Sequence, residues 1–229
     1  MRRKPEILAA DPVREKRRHW QQINISAFAK KMGAHLILNA ENCCDTYHQN
    51  CFRRNGDEYR KHPKRVLRSY IFYTIVKHRM IFNSQMDQEG SGVLLHDTIE
   101  DVSDKILENI SSAYGAITLD FVKALTRGEK ESIIGFVKRV VKRSNTTLGK
   151  LCDSIDNSLG MLEEYYSDVP SEDLERLKTY MCKKIFPLIV VVYNTDMGNS
   201  KYAAAVKEAL HDLILCYREA QEVIKMEKK

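Results

Sequence analysis

Apolar positions recur along this chain at the three- and four-residue spacing of a helix face, not at the alternation of a strand. Over residues 64–82 that spacing gathers Val66, Leu67, Ile71, Ile75 and Val76 on one side. The stretch 83–92 is polar and holds Gly90 and Gly92, so it reads as a loop. A short buried helix then carries Val93-Leu94-Leu95-His96-Asp97. Ser103 is placed as the N-cap of a helix over 104–114, with Gly115 as its terminator. Helical segments over 118–125, 130–142 and 147–165 follow. Pro170-Ser171-Glu172-Asp173 opens another, its acidic first turn suiting the helix dipole, and this one ends near Pro187. The run 188–193 is apolar and β-branched, compatible with a strand or a buried helical turn. From Asn199-Ser200 a long amphipathic helix extends to about Lys225, with Val206, Leu210, Leu213 and Tyr217 facing inward. An all-α fold is expected: a basic N-terminal segment (1–22), a helical domain (23–187), and a helical C-terminal extension (188–229) packed on it.

Composition narrows the class. With 43% apolar and 30% charged residues among 229, the chain can build a core and a solvated surface, which excludes a disordered polymer. Ten Gly and five Pro are too few for a low-complexity chain and sparse for a β-sandwich. No apolar stretch approaches the roughly 18 residues needed to cross a bilayer. The basic start Met1-Arg2-Arg3-Lys4 is not followed by the apolar region of a secretory signal. Six cysteines form no CxxC pair, and Cys43 and Cys44 are adjacent, so reduced thiols are expected. A cytoplasmic protein without membrane contact is the expectation.

The net charge of +6 is concentrated in two places. Residues 2–18 hold Arg2, Arg3, Lys4, Arg14, Lys16, Arg17 and Arg18, a solvated face or a nucleic-acid contact. Residues 53–68 hold Arg53, Arg54, Arg60, Lys61, Lys64, Arg65 and Arg68, and bracket His62, a candidate metal ligand. His19, His35, His78 and His211 read as surface or interface residues, and Trp20 as packing on the domain or touching a partner.

The most informative segment is Leu94-Leu95-His96-Asp97-Thr98-Ile99-Glu100-Asp101. Adjacent His and Asp beside an apolar pair offer one nitrogen and one oxygen donor, the types that hold catalytic divalent ions. Glu100 and Asp101 follow one helical turn later. Four such groups beside buried leucines repel one another unless a cation or protons compensate them.

In this segment the sequence resembles the HD phosphohydrolase superfamily, and within it the hydrolase domain of RelA/SpoT-type alarmone enzymes. Leu94 to Asp101 match that family's LLHDxxED motif without a gap. Arg53-Arg54-Asn55-Gly56-Asp57-Glu58-Tyr59-Arg60-Lys61-His62-Pro63 aligns with its R-K-S-G-E-P-Y-x-x-H-P segment. Lys150-Leu151-Cys152-Asp153-Ser154-Ile155-Asp156-Asn157 aligns with K-L-A-D-x-x-x-N. Tyr114-Gly115 and Leu125-Thr126 fall on the family's F-G and V-T landmarks, and the likeness spans about residues 45–187.

The resemblance implies one divalent ion, usually manganese, held by His62, His96, Asp97 and Asp153. It implies that Glu100 and Asp101 orient or deprotonate the attacking water. Arg53 and Arg54 would meet the nucleotide, Asn157 its ribose, and Arg176 and Tyr180 would match a nucleotide-contacting R-x-x-x-Y pair. The implied activity is removal of the 3′-diphosphate of (p)ppGpp with release of pyrophosphate. Departures lie on the nucleotide side. Ser154 stands where the family has a basic residue, Asp156 where it has His or Tyr, and Leu159 where it has Arg. Of an A-H-x-G-Q segment only His48 remains. Two other functions therefore stay open: the same chemistry on another nucleoside phosphate or NADPH-like cofactor, and a module that binds nucleotide or nucleic acid without turnover.

Overall fold

The computed structural model describes residues 8–54, 56–101, 106–167 and 172–227, the side chains at 100–101, 106–108 and 172–173 excepted. Every helix and longer element among them is helical; the one β feature is a single bridge between Phe52 and Glu58. The expected all-α fold is the one adopted. Among the described residues no helix is long and apolar enough to cross a membrane.

Helix starts follow from side-chain caps. Asn24 accepts from the Ala27 N–H at 2.9 Å and opens α2 (Ile25–Met32). Asn83 accepts from Met86 N–H at 3.0 Å and opens α5 (Ser84–Leu94); Ser132 does the same for α9 (Ile133–Val140) from Gly135 N–H at 3.1 Å. The central layer is α4 (Lys61–Ile71) and α10 (Ser144–Tyr166), with α3 (His35–Tyr47), α5 and α8 (Ala116–Leu125) on one side. On the other lie α1 (Asp11–Gln21) and the long α13 (Ala203–Met226), which runs along α10. The remaining helices are α6 (Thr98–Asp101), α7 (Ile106–Tyr114), and α11 (Glu172–Tyr180) joined to α12 (Phe186–Tyr193) by a π-helical stretch, Met181–Ile185. One apolar core runs through all of this, from Val13 of α1 to Val223 of α13.

Three expectations are corrected. The stretch 83–92 is not a loop but most of α5. Its acidic residues are buried with distant groups satisfying them: Asp87 accepts from Leu36 and Ile37 N–H at 3.2 and 2.9 Å, capping α3 from outside. Glu89, fully buried, accepts from the hydroxyls of Tyr70 and Tyr202 and from the Gln85 and Asn145 amides. Second, the helix expected over 64–82 ends at Lys77 and changes register before it does: α4 passes at Phe72 into a π-helical stretch, Phe72–Lys77. That turn buries Tyr73 and Thr74 and leaves Val76 exposed, not inward. Third, the helix over 172–180 does not end at Pro187: it passes through a π-helical stretch, Met181–Ile185, directly into α12, and 188–193 takes the helical of its two readings. The Ser103 cap lies outside the described residues; Gly115, at φ +87°, does end α7.

The glycines of α5 are packing devices. A Cβ on Gly92 would lie 2.8 Å from Phe121 Cβ, and one on Gly90 2.7 Å from Ile37 Cδ1. Gly92→Ala is expected to cost about 1–3 kcal/mol, because the blocking atom is the root of a fully buried side chain. Gly160→Ala is the control: its Cβ meets only Arg53 Nη1 at 3.8 Å, so a gain in helix propensity should leave stability unchanged or slightly higher. Urea unfolding of both variants checks the pair, and equal midpoints would contradict the close approach of α5 to α8.

Three of the N-terminal basic residues, Arg14, Lys16 and Arg17, are tied into the fold, while Arg18 is exposed. Arg14 forms a two-pronged pair with buried Glu219 at 2.9 and 2.6 Å, and Lys16 reaches Asp212 at 2.8 Å and Glu208 at 2.9 Å. Arg17 pairs with Glu163 at 2.6 Å. Trp20 is buried against Phe72 and Tyr73, so it packs on the domain. Residues 1–7 lie outside the described residues.

Candidate metal centre

Three backbone segments bring four donors to one point. His62 sits in the first turn of α4, held by its N–H to Tyr59 C=O at 2.9 Å, with Pro63 next, where helix N–H groups lack partners anyway. His96 and Asp97 lie in the turn after α5, anchored by the fully buried Leu94 and Leu95. Asp153 is in the middle of α10. His62, His96 and Asp153 are each at most 4% exposed. One ligand atom from each of these three lies within 4.8 Å of the others. Asp97 closes the group, with Oδ1 3.1 Å from His96 Nε2 and Oδ2 3.6 Å from His62 Nε2.

The surroundings fix which atoms face inward. His96 Nδ1 lies 2.7 Å from Val93 C=O, which makes it a donor and leaves Nε2 as the nitrogen that can bind a metal once its proton is displaced. That Nε2 is buried with no hydrogen-bond partner among the described residues. His62 Nδ1 lies 2.7 Å from Asp156 Oδ2, and its Nε2 is 3.1 Å from Asp153 Oδ1. Tyr59 donates to Asp97 at 2.8 Å; Lys150 and Asn157 donate to Asp153, each at 2.6 Å.

The charges are strongly coupled. Burial drives the Asp153 pKa up, but Lys150, His62 and His96 outweigh it and hold the carboxyl well below its ordinary range. Burial lowers His96, yet Asp97 and Asp153 raise it to about 9; His62 is raised too, by Asp153 and Asp156 against burial. His48, buried beside the Tyr59 ring at 4.9 Å, is pushed down by burial and so favours the neutral form. Two imidazoles facing two carboxylates, with one unpartnered nitrogen aimed inward, are a fitting donor set for a divalent transition metal.

The cluster opens onto a pocket of about 830 Å³. Tyr59, Asp97 and Asp153 form its floor, Lys150, Arg127 and Lys184 bring positive charge beside the negative Glu129, and Leu125, Ile133, Phe136, Tyr180 and Leu188 make an apolar wall. Among the expected nucleotide contacts, Asn157 and Tyr180 line it. Arg53 reaches its edge by donating to Asn157 Oδ1. Arg54 is exposed and outside the lining, and Arg176 is turned away to Glu164 at 3.0 Å. The rest of the second basic cluster serves the chain: Lys64 pairs with Asp45 at 2.8 Å, and Arg68 donates to Ile23 C=O at 3.0 Å. Glu100 and Asp101 end α6, one turn past the ligand pair, and their side chains lie outside the described residues.

Sequence reasoning missed Arg127 and Lys184, which carry no motif, and Asp156, which it read only as a departure. Compared with known proteins, the chain matches no family model and no curated protein.

Proposed function

We propose that the chain is a metal-dependent phosphohydrolase of the HD type acting on a phosphorylated nucleotide, first of all on the 3′-diphosphate of (p)ppGpp. The observation that supports this is the convergence of His62, His96, Asp97 and Asp153, three of which line a pocket large enough for a nucleotide that also holds Arg127, Lys150 and Lys184. A divalent ion held there, manganese by the resemblance, would lower the pKa of a water and polarise a phosphoryl oxygen. The remaining work belongs to the chain. Tyr59 and Lys150 keep Asp97 and Asp153 aimed inward. Lys150, Arg127 and Lys184 offset the charge of bound phosphates. Glu100 and Asp101 would hold the attacking water and take its proton.

A second nucleotide as substrate is favoured by one feature: Ser154 lines the pocket where the resemblance expects a basic side chain. Phosphate and pyrophosphate release over a nucleotide panel with Mn2+, with and without chelator, tests both. Chelator-sensitive pyrophosphate release from (p)ppGpp is expected; release from other nucleotides alone would move the assignment to the second reading. Binding without any turnover would leave a nucleotide-binding module.

Arg53→Ala should raise KM by roughly 10- to 150-fold with kcat little changed, since one charge-assisted contact is worth about 1.5–3 kcal/mol. Arg54→Ala should leave KM unchanged. Equal KM values in all three proteins would return Arg53 to a purely structural role.

A further inference from the structure

We infer that Asp156 is a positioning residue that fixes His62 as a metal ligand, an inference that rests on the metal reading above. The Asp156 carboxylate is 1% exposed and accepts at Oδ2 from His62 Nδ1 at 2.7 Å. With Nδ1 engaged as donor, the lone pair of His62 is placed on Nε2, the atom 3.1 Å from Asp153 Oδ1 and 3.6 Å from Asp97 Oδ2. A carboxylate behind a ligating imidazole orients the ring and raises its basicity.

Asp156 is itself fixed from three other elements. Arg65 of α4 donates to it through Nε at 2.8 Å and Nη2 at 3.1 Å. Arg53, in the segment before α4, lies 3.7 Å away, and Arg17 of α1 lies 3.6 Å away. With Arg65 bonded to both oxygens, the carboxylate is held in the orientation that faces His62. Because Arg53 also donates to Asn157 at the pocket edge, the same network joins the ring of a candidate ligand to the substrate side. Histidine or tyrosine here would carry no negative charge to do this at neutral pH.

Asp156→Asn keeps the shape and removes the charge. Titrating Mn2+ into wild type and variant, followed by calorimetry or electron paramagnetic resonance, is expected to show roughly 10- to 100-fold weaker binding in the variant with helical content intact. In ¹⁵N-histidine spectra of the Mg2+-loaded wild type, His62 is expected to carry its proton on Nδ1, with that proton shifted downfield. Wild-type Mn2+ affinity in Asp156→Asn would overturn the inference while leaving the metal centre standing. Failure of the wild type itself to bind Mn2+ would overturn the metal reading, and this inference with it. Should the variant not fold, the wild-type spectrum decides: a His62 proton on Nε2 overturns the assignment.

Discussion

Glu100→Gln is expected to leave Mn2+ and nucleotide affinity at wild-type levels while kcat falls roughly 10²- to 10⁴-fold, the range for a positioned acid or base. The reason is geometric. His62, His96, Asp97 and Asp153 already supply two nitrogens and two carboxylates, so no further ligand is needed to complete a four-donor set. α6 begins immediately after the ligand pair, so Glu100 and Asp101 follow it by one helical turn. On the proposed mechanism these acids act when water attacks phosphorus, so their loss would appear in kcat alone. If the pair instead props up the ligands, Glu100→Gln should lose metal by about 10- to 100-fold and recover activity with excess Mn2+. Asp101→Asn, measured at saturating metal, separates the two acids. Full activity of both variants would defeat the catalytic role.

The site was legible in the sequence only where its chemistry is written locally. His96-Asp97 with two leucines ahead could be recognised because burial of Leu94 and Leu95 forces the neighbouring donors inward. Asp153 and His62, 91 positions apart, were joined to it through motif order, and the fold brings them within reach. Asp156 could not be read this way: its meaning depends on His62 and Arg65 on another helix. Helix α5 was illegible for the opposite reason. Its residues look like a loop because Asp87, Glu89 and two glycines are polar or small, and their partners lie on α3, α4, α8 and in Tyr202. The Asn83 cap was the local signal that marks it as a helix. Val76 faces solvent because a π-helical turn adds residues to the repeat, which a 3.6-residue period does not anticipate.

Mn2+ is expected to stabilise the folded chain, and the size of that effect reads the same four ligands without any turnover. An ion that binds only the folded state contributes about 2.7 kcal/mol at 100 times its Kd and about 4.1 kcal/mol at 1,000 times. For a chain of this length, that corresponds to a rise in Tm of roughly 5–16 °C. Asp97→Ala and Asp153→Ala should each abolish the rise, because removing either carboxylate from two facing imidazoles leaves too little negative charge to hold a dication. The baseline should also differ between them. Asp153 is buried against Lys150, His62 and His96, so its loss leaves cations unpaired and lowers the metal-free Tm more than loss of the more exposed Asp97. The pH dependence follows from competition with protons. Burial lowers His96, but Asp97 and Asp153 hold it at about 9, so an arriving ion must displace a proton at any pH below that value. The Mn2+-induced rise at fixed metal should therefore grow with pH until about 9 and then level off, whereas an ordinary imidazole would level off near about 6.5. A thermal shift that survives in Asp97→Ala and Asp153→Ala, or that stays constant between about pH 6 and about pH 9, would place the ion somewhere other than this cluster.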